Sequence, residues 1–267
     1  MKIINKVLFT TATILLMAII SNAQEVKKVA IGIYGTGNTS WLKPDIDGKY
    51  GHARKGIGLG YSAGVAFDLA LFGSNNYAFV TGAGVLYHSG KIEYPDVYSP
   101  ADTVHYTGTS TSKYKLSYID IPIMLKLKTN EIGYLTYYGE VGSSIGIKYK
   151  ARQDNEFTYI DEFGTQVTTT TEDSDMGSSA YLFRFPLVIG AGVEYNLSGN
   201  TYILVGLTYN NGFTNTFAWG KNNPKIYEYD DSNASIVLDE NGVPKTVDEP
   251  SRKAISNFVG LKVGIKF

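Results

Sequence analysis

Residues 57–72 read Ile-Gly-Leu-Gly-Tyr-Ser-Ala-Gly-Val-Ala-Phe-Asp-Leu-Ala-Leu-Phe. The odd positions are Ile57, Leu59, Tyr61, Ala63, Val65, Phe67, Leu69 and Leu71; the even ones are Gly58, Gly60, Ser62, Gly64, Ala66, Asp68, Ala70 and Phe72. Successive side chains of a strand point to opposite faces, so one face is continuously apolar and the other small or charged. A period of two over so long a run is the signature of a β-strand, not of a helix.

Seven more segments alternate in the same way, at about 26–36, 77–94, 113–128, 134–151, 179–196, 201–213 and 256–267. Short connections with Gly/Asn chemistry fall at Gly73–Asn76, Thr129–Gly133 and Leu197–Asn200, as tight hairpins require. Long connections fall near 37–56, 95–112, 152–178 and 214–255. The pattern predicts an all-β fold: an eight-stranded antiparallel up-and-down transmembrane β-barrel with short turns on one side and long extracellular loops on the other.

Parity then sorts the side chains. Leu59, Val65, Phe67, Ile121, Ile123, Leu187, Ile189, Val205, Leu261 and Val263 are expected to face lipid. The opposite parity carries Asp68, Asp120, Glu140 and Glu194 against Lys126, Lys148, Arg184 and Lys262. Enclosed charges are costly unless paired, so these predict a salt-bridged polar network in the barrel interior. On the order of the strands, Arg184 is expected to pair with Asp120 or Glu140. A soluble lipocalin-like cup is the alternative, with the apolar face turned inward on a ligand. A face dominated by glycine and alanine suits a crowded barrel interior better than it suits water. Tyrosines and phenylalanines near the stripe ends, among them Tyr61, Tyr77, Tyr87, Tyr137, Tyr149, Tyr195 and Tyr209, match interfacial girdles.

The N-terminus reads as an export signal. Lys2 and Lys6 precede an apolar run from Val7 to Ile20, too short to span a bilayer, and Ser21-Asn22-Ala23 ends it with small residues. Residues 1–23 are therefore expected to be a cleaved signal peptide and residues 24–267 the outer-membrane β-barrel domain. Over the whole chain, 24 basic and 25 acidic side chains nearly cancel, so no basic footprint for nucleic acid exists. The absence of cysteine excludes disulfides, thiolate metal sites and thiol catalysis.

Tyr118-Ile119-Asp120-Ile121-Pro122-Ile123-Met124-Leu125-Lys126 is similar to the aromatic–hydrophobic–acid–hydrophobic–Pro motif of PorT-like small outer-membrane β-barrels of Gram-negative bacteria. Phe183-Arg184-Phe185-Pro186-Leu187 partly echoes it. The chain also ends on Phe267, at the outward phase, resembling the C-terminal insertion signal of such barrels. The resemblance implies residence in the outer membrane, insertion by the barrel-assembly machinery, and a link in some members to secretion or gliding. It implies little about biochemistry.

No constellation points to catalysis. The three histidines are His52, His88 and His105. A serine–histidine lipid hydrolase needs the pair close together on a bilayer-accessible face; His88 has the interior parity while Ser89 has the outward one. The glycine pairs near 58–60 and 190–192 lie within strands, not at strand–helix junctions, so they are not phosphate loops. No cofactor and no metal site is expected. Asp154, Glu156, Asp161, Glu162, Glu172, Asp173 and Asp175 make the loop at 152–178 acidic, which solvates it or attracts cations. Two hairpins are expected in the loops: 157–160 with 167–171, and 236–238 with 243–247. The reading is a non-enzymatic outer-membrane barrel, monomeric and in contact with outer-membrane lipid, that acts structurally or binds an envelope or secretion protein through its loops. A membrane-embedded lipid-modifying enzyme is the alternative.

Overall fold

The computed structural model describes residues 29–46, 48–101, 104–217, 225–247 and 253–267. The signal peptide expected over 1–23 lies outside them. Eight long strands follow one another in the chain: β1 (Val29–Pro44), β2 (Gly58–Leu71), β3 (Ser74–Ala101), β4 (Val104–Lys128), β5 (Leu135–Ile160), β6 (Pro186–Ser198), β7 (Thr201–Gly212) and β8 (Ala254–Lys266). Each pairs antiparallel with the next, and β8 pairs with β1, from Gly32↔Lys266 to Pro44↔Ala254. The ring is closed, so no barrel strand leaves an edge at membrane level. Phe267 completes the seam, exchanging backbone hydrogen bonds with Ile31.

Apolar side chains face outward. Leu59 is 75% exposed, and Ile123, Ile189, Val205, Leu261 and Val263 are exposed as well. Phe67, Ile121 and Leu187 keep the same phase but are half-covered by their neighbours on the outer surface. This disposition corrects the soluble-cup alternative, in which the stripe would line the interior. On β3, Tyr77 and Tyr87 share the outward phase ten residues apart. That is roughly 33 Å of strand, or about 25 Å of height at a tilt of ~40°, the thickness of the apolar band of a membrane barrel.

The loop side departs from expectation. Strands β3, β4 and β5 run for 28, 25 and 26 residues, whereas spanning needs only ~9–11. The expected loop near 95–112 is instead a continuous hairpin, paired to Tyr98↔Tyr106. Much of 152–178 is likewise strand: β5 continues to Ile160 and pairs with Gln166–Asp175, as the first expected hairpin anticipated. β1 runs on to Pro44, so its connection starts later than position 37. The second expected hairpin is present in short form: a tight turn at Asp239–Val243, the bridge Leu238↔Pro244, and a bond from the Lys245 N–H to the Val237 carbonyl. Ile226–Tyr227 pairs with Thr246–Val247 around it, and Tyr229–Asp230 with Ser235–Ile236.

Two prolines interrupt the ladders. Between Thr81↔Ile123 and Gly84↔Asp120, residues Ile121 and Pro122 have no partners on β3, because proline brings no N–H. The segment at 179–196 is broken similarly: Phe183–Arg184 pairs with Gly146 and Ile147, and regular pairing resumes at Leu187↔Ser143. Ser143 fills part of the gap by donating its hydroxyl to the Pro186 carbonyl at 2.8 Å.

Candidate functional site

The lumen is built in three tiers. Nearest the short turns, Lys126 on β4 donates to Asp68 on β2 at 3.0 Å and to Glu194 on β6 at 3.4 Å. Lys266 on β8 bonds Glu194 and lies 3.7 Å from Asp68. Lys128 approaches Glu194 at 4.0 Å from the rim. Four strands thus converge on one ion network, in which Lys126 is only 2% exposed. Sequence reasoning named Asp68, Lys126 and Glu194. It did not name Lys266, although the even parity that residue shares with Lys262 was the available signal.

The middle tier joins Lys262 on β8 to Glu140 on β5 at 2.9 Å. Two tyrosines lie across it. Tyr34 rests on the facing glycines 64 and 84, where an added Cβ would stand 2.9 and 2.8 Å from its hydroxyl. Tyr138 rests in the same way on glycines 192 and 206, at 2.6 and 2.2 Å. The small-residue face of the strands is therefore the floor on which lumenal rings lie. The Lys126 ammonium sits 4.8 Å from the Tyr138 ring and that of Lys262 5.4 Å from the Tyr34 ring, within cation–π range.

The upper tier corrects one expectation. Arg184 is buried in the lumen, 4% exposed, but makes no salt bridge with Asp120 or Glu140. It bonds the Asn210 side-chain oxygen and lies between the rings of Tyr118 and Phe258, at 5.9 and 5.8 Å. Asp120 accepts instead from the Ser144 hydroxyl at 2.8 Å. Phe183–Arg184 keeps the register of the ladder beyond Pro186, and the guanidinium lies over the rings, not against a carboxylate. Lys148 also leaves the lumen and donates to the carbonyls of Gly177 and Ala180.

A cavity of about 80 Å³ lies between the middle and upper tiers, lined by Asp120, Glu140, Ser144, Asn210 and Lys262 among others. Its polar walls and size suit a few ordered waters. Above it, Leu42, Leu86, Leu116, Tyr114, Met176 and Phe217 belong to one buried apolar cluster that fills the loop-side mouth. On the turn side a vestibule of about 380 Å³ opens between Asn76, Lys128, Glu131 and Lys266. The barrel is shut by ions below and by hydrocarbon above.

One serine–histidine contact escaped sequence reading: Ser256 Oγ lies 3.2 Å from His88 Nε2. Its residues are 168 positions apart, and no local spacing signals it. Both groups are buried in the lumen, and His88 Nδ1 has no hydrogen-bond partner, so the carboxylate that would orient the ring is missing. Ser89 is not on the lipid surface as its parity suggested; it is buried and donates to the Leu59 carbonyl at 3.1 Å. Among the described residues no three imidazoles or carboxylates converge as metal ligands.

Beyond the barrel, β3, β4, β5 and Gln166–Asp175 form a protruding four-stranded sheet. Its inner face is tied by Tyr94 to Ser112 at 2.8 Å and Ser112 to Asn155 at 2.7 Å. On its outer face Lys115 pairs with Asp154 at 2.7 Å. The hydrogen bond to Asp154 raises the Lys115 ammonium above its usual value. Burial alone would raise Asp154, but the bonds from Lys115 and from the Asp173 N–H outweigh it and hold the carboxyl below its usual range. At the tip, Tyr159 lies 5.1 Å from Tyr106 and 5.8 Å from Tyr98.

A family model described as an outer membrane protein beta-barrel domain matches residues 22–218. Solved structures similar to this chain include Neisserial surface protein A, at 11% identity over 89% of this chain and 99% of that one, TM-score 0.38. Ail, the attachment invasion locus protein of Yersinia pestis, matches at 12% identity over 90% and 99%, TM-score 0.33. OprG from Pseudomonas aeruginosa matches at 10% identity over 92% and 99%, TM-score 0.37. No curated protein matches the chain.

Proposed function

Since the chain belongs to the outer membrane protein beta-barrel domain family and resides in the outer membrane, we propose that it is a non-enzymatic binding protein whose protruding sheet stands outside the cell. The observation that carries this is a division of labour along β3, β4 and β5. Their lower parts enclose a lumen plugged at both levels, and their upper parts continue as ordered sheet well past the membrane. A rigid barrel displaying a structured extension has the form of a scaffold for recognition. The partner is an envelope or secretion protein, by resemblance of the Tyr118–Lys126 motif to PorT-like barrels. The protein acts as a monomer, exported by its signal peptide and inserted by the barrel-assembly machinery through Phe267. The lipid-modifying alternative gains nothing from the buried, incomplete His88–Ser256 pair.

The test shortens the β3–β4 hairpin at the Lys91↔Lys113 pair with a two-residue turn. The variant should still insert and show heat-shifted mobility on a denaturing gel, yet fail to restore the envelope or secretion phenotype of a deletion strain. Full restoration by the shortened chain refutes the reading. So does a change in lipid A mass that depends on expression of the protein, which would favour the enzyme.

A further inference from the structure

We infer that the strand Gln166–Asp175 is a docking edge that accepts an extended, Lys- or Arg-bearing segment of a partner polypeptide as an added strand. This rests on reading the protruding sheet as the binding element. The strand pairs with β5 on one side, and among the described residues nothing pairs with the other. In an antiparallel ladder alternate residues turn their N–H and C=O away from the neighbour, so the free side presents a row of unused main-chain donors and acceptors.

Such edges are ordinarily blunted by lysine, proline or a bulge. The segment Gln-Val-Thr-Thr-Thr-Thr-Glu-Asp-Ser-Asp contains neither residue, and its one bulge, at Glu172 and Asp173 opposite Asp154 with Asp173 at a positive φ, falls towards the barrel and leaves the run above it regular. From Gln166 to Thr171 the register is unbroken and rich in β-branched side chains, the composition that fits a pleated surface. An incoming strand would find a straight template there.

Charge selects the occupant. Glu172 lies on the edge strand, Glu156 sits opposite Thr170, and Glu162 lies in the connecting turn. None of these three makes a salt bridge among the described residues, while Asp154 is taken by Lys115 and Asp173 faces Arg152 at 4.0 Å. The unmatched charge is negative, so the complement is basic. Pairing with a second copy is disfavoured by the same charges: two copies in one membrane point the same way, so their edges would meet in parallel with the acidic Glu172–Asp175 ends side by side, and facing like charges destabilise a ladder. At the far end Tyr159 stands opposite Val167 and beside Tyr106, where a cation on the added strand would meet aromatic faces.

The probe is a labelled decapeptide of alternating Lys and Thr, titrated by fluorescence anisotropy into the full chain refolded in detergent. It should bind, and binding should weaken as salt rises. A peptide of equal charge with Pro in place of each Thr should bind about tenfold or more weakly, a loss of ~1.4 kcal/mol or more, because it can neither extend the ladder nor donate to it. Thr168→Pro and Thr170→Pro, the positions whose N–H faces the free side, checked for heat-shifted mobility, should cause similar losses, and Glu156→Lys with Glu172→Lys should weaken the Lys/Thr peptide. Equal binding of the proline peptide overturns the inference, leaving only attraction to an acidic surface. A dimer in sedimentation equilibrium that the edge prolines dissolve overturns the choice of occupant. If the edge prolines restore the phenotype that the shortened hairpin cannot, the edge fails while the protruding-sheet reading survives; if the shortened hairpin also restores it, the broader reading fails too.

Discussion

Replacing Lys126 by methionine removes the hub of the lower ion network while keeping most of the side-chain volume. Lys126 lies 3.0 Å from Asp68 and 3.4 Å from Glu194, almost fully buried. At an effective dielectric of about 20, each contact supplies roughly 5 kcal/mol of raw attraction, and desolvating the ammonium offsets several kcal/mol of the pair. Breaking a buried pair from one side costs ~3–5 kcal/mol, because the partner is left charged and enclosed. Lys266 remains within reach of both carboxylates, so the expected loss is at the low end, about 3 kcal/mol. Lys126→Met combined with Asp68→Asn removes one charge of each sign and should recover more than half of it. Urea titration of the refolded protein in lipid vesicles, followed by tryptophan fluorescence, measures both. A loss below about 0.5 kcal/mol for Lys126→Met, the size of an inert surface change, would refute the view that this network holds the barrel together.

Leu187→Arg tests the outer face: Leu187 pairs with Ser143, midway between Tyr137 and Tyr149 on β5, so the charge should cost ~2–4 kcal/mol in vesicles, and normal stability would mean that the residue does not meet lipid. Gly206→Ala drives a methyl against the Tyr138 hydroxyl and should cost ~1–3 kcal/mol; adding Tyr138→Phe should relieve part of this, and an unrelieved double variant would place the strain elsewhere. The Lys115–Asp154 pair gives the protruding sheet a pH window. The lowered Asp154 pKa contributes stability that is present above the unfolded value near 4 and is lost as pH falls through the folded value; the raised Lys115 pKa contributes stability that is complete below about 10 and is lost as pH rises further. Both side chains are partly exposed, so the effect stays under ~1 kcal/mol, and the amide protection factors of residues 152–160, corrected for the intrinsic exchange rate, should fall below pH 4 in the native protein but not in Lys115→Ala.

Alternation along Ile57–Phe72 and its seven counterparts was enough to determine the strands, because side chains switch sides at every residue. The even strand count with alternating short and long connections pointed to a closed ring, and the glycine- and alanine-rich face with the aromatic girdles pointed to the side that meets lipid. The same parity placed Asp68, Lys126, Glu140, Arg184, Glu194 and Lys262 in the lumen, because a residue's face depends only on its own strand. Which of them touch is a different matter. The Lys126–Glu194 contact spans 68 positions and that of Ser256 with His88 spans 168; both depend on side chains reaching across the barrel, which no local pattern encodes. Arg184 was assigned to a carboxylate because charge alone was legible, whereas the fold brings it to Asn210 and the rings of Tyr118 and Phe258. Part of the protruding sheet was hidden for a related reason. The mostly polar run at 104–113 shows no hydrophobic period, and only pairing with the neighbouring strand makes it sheet, whereas the hairpin of 157–160 with 167–171 was legible.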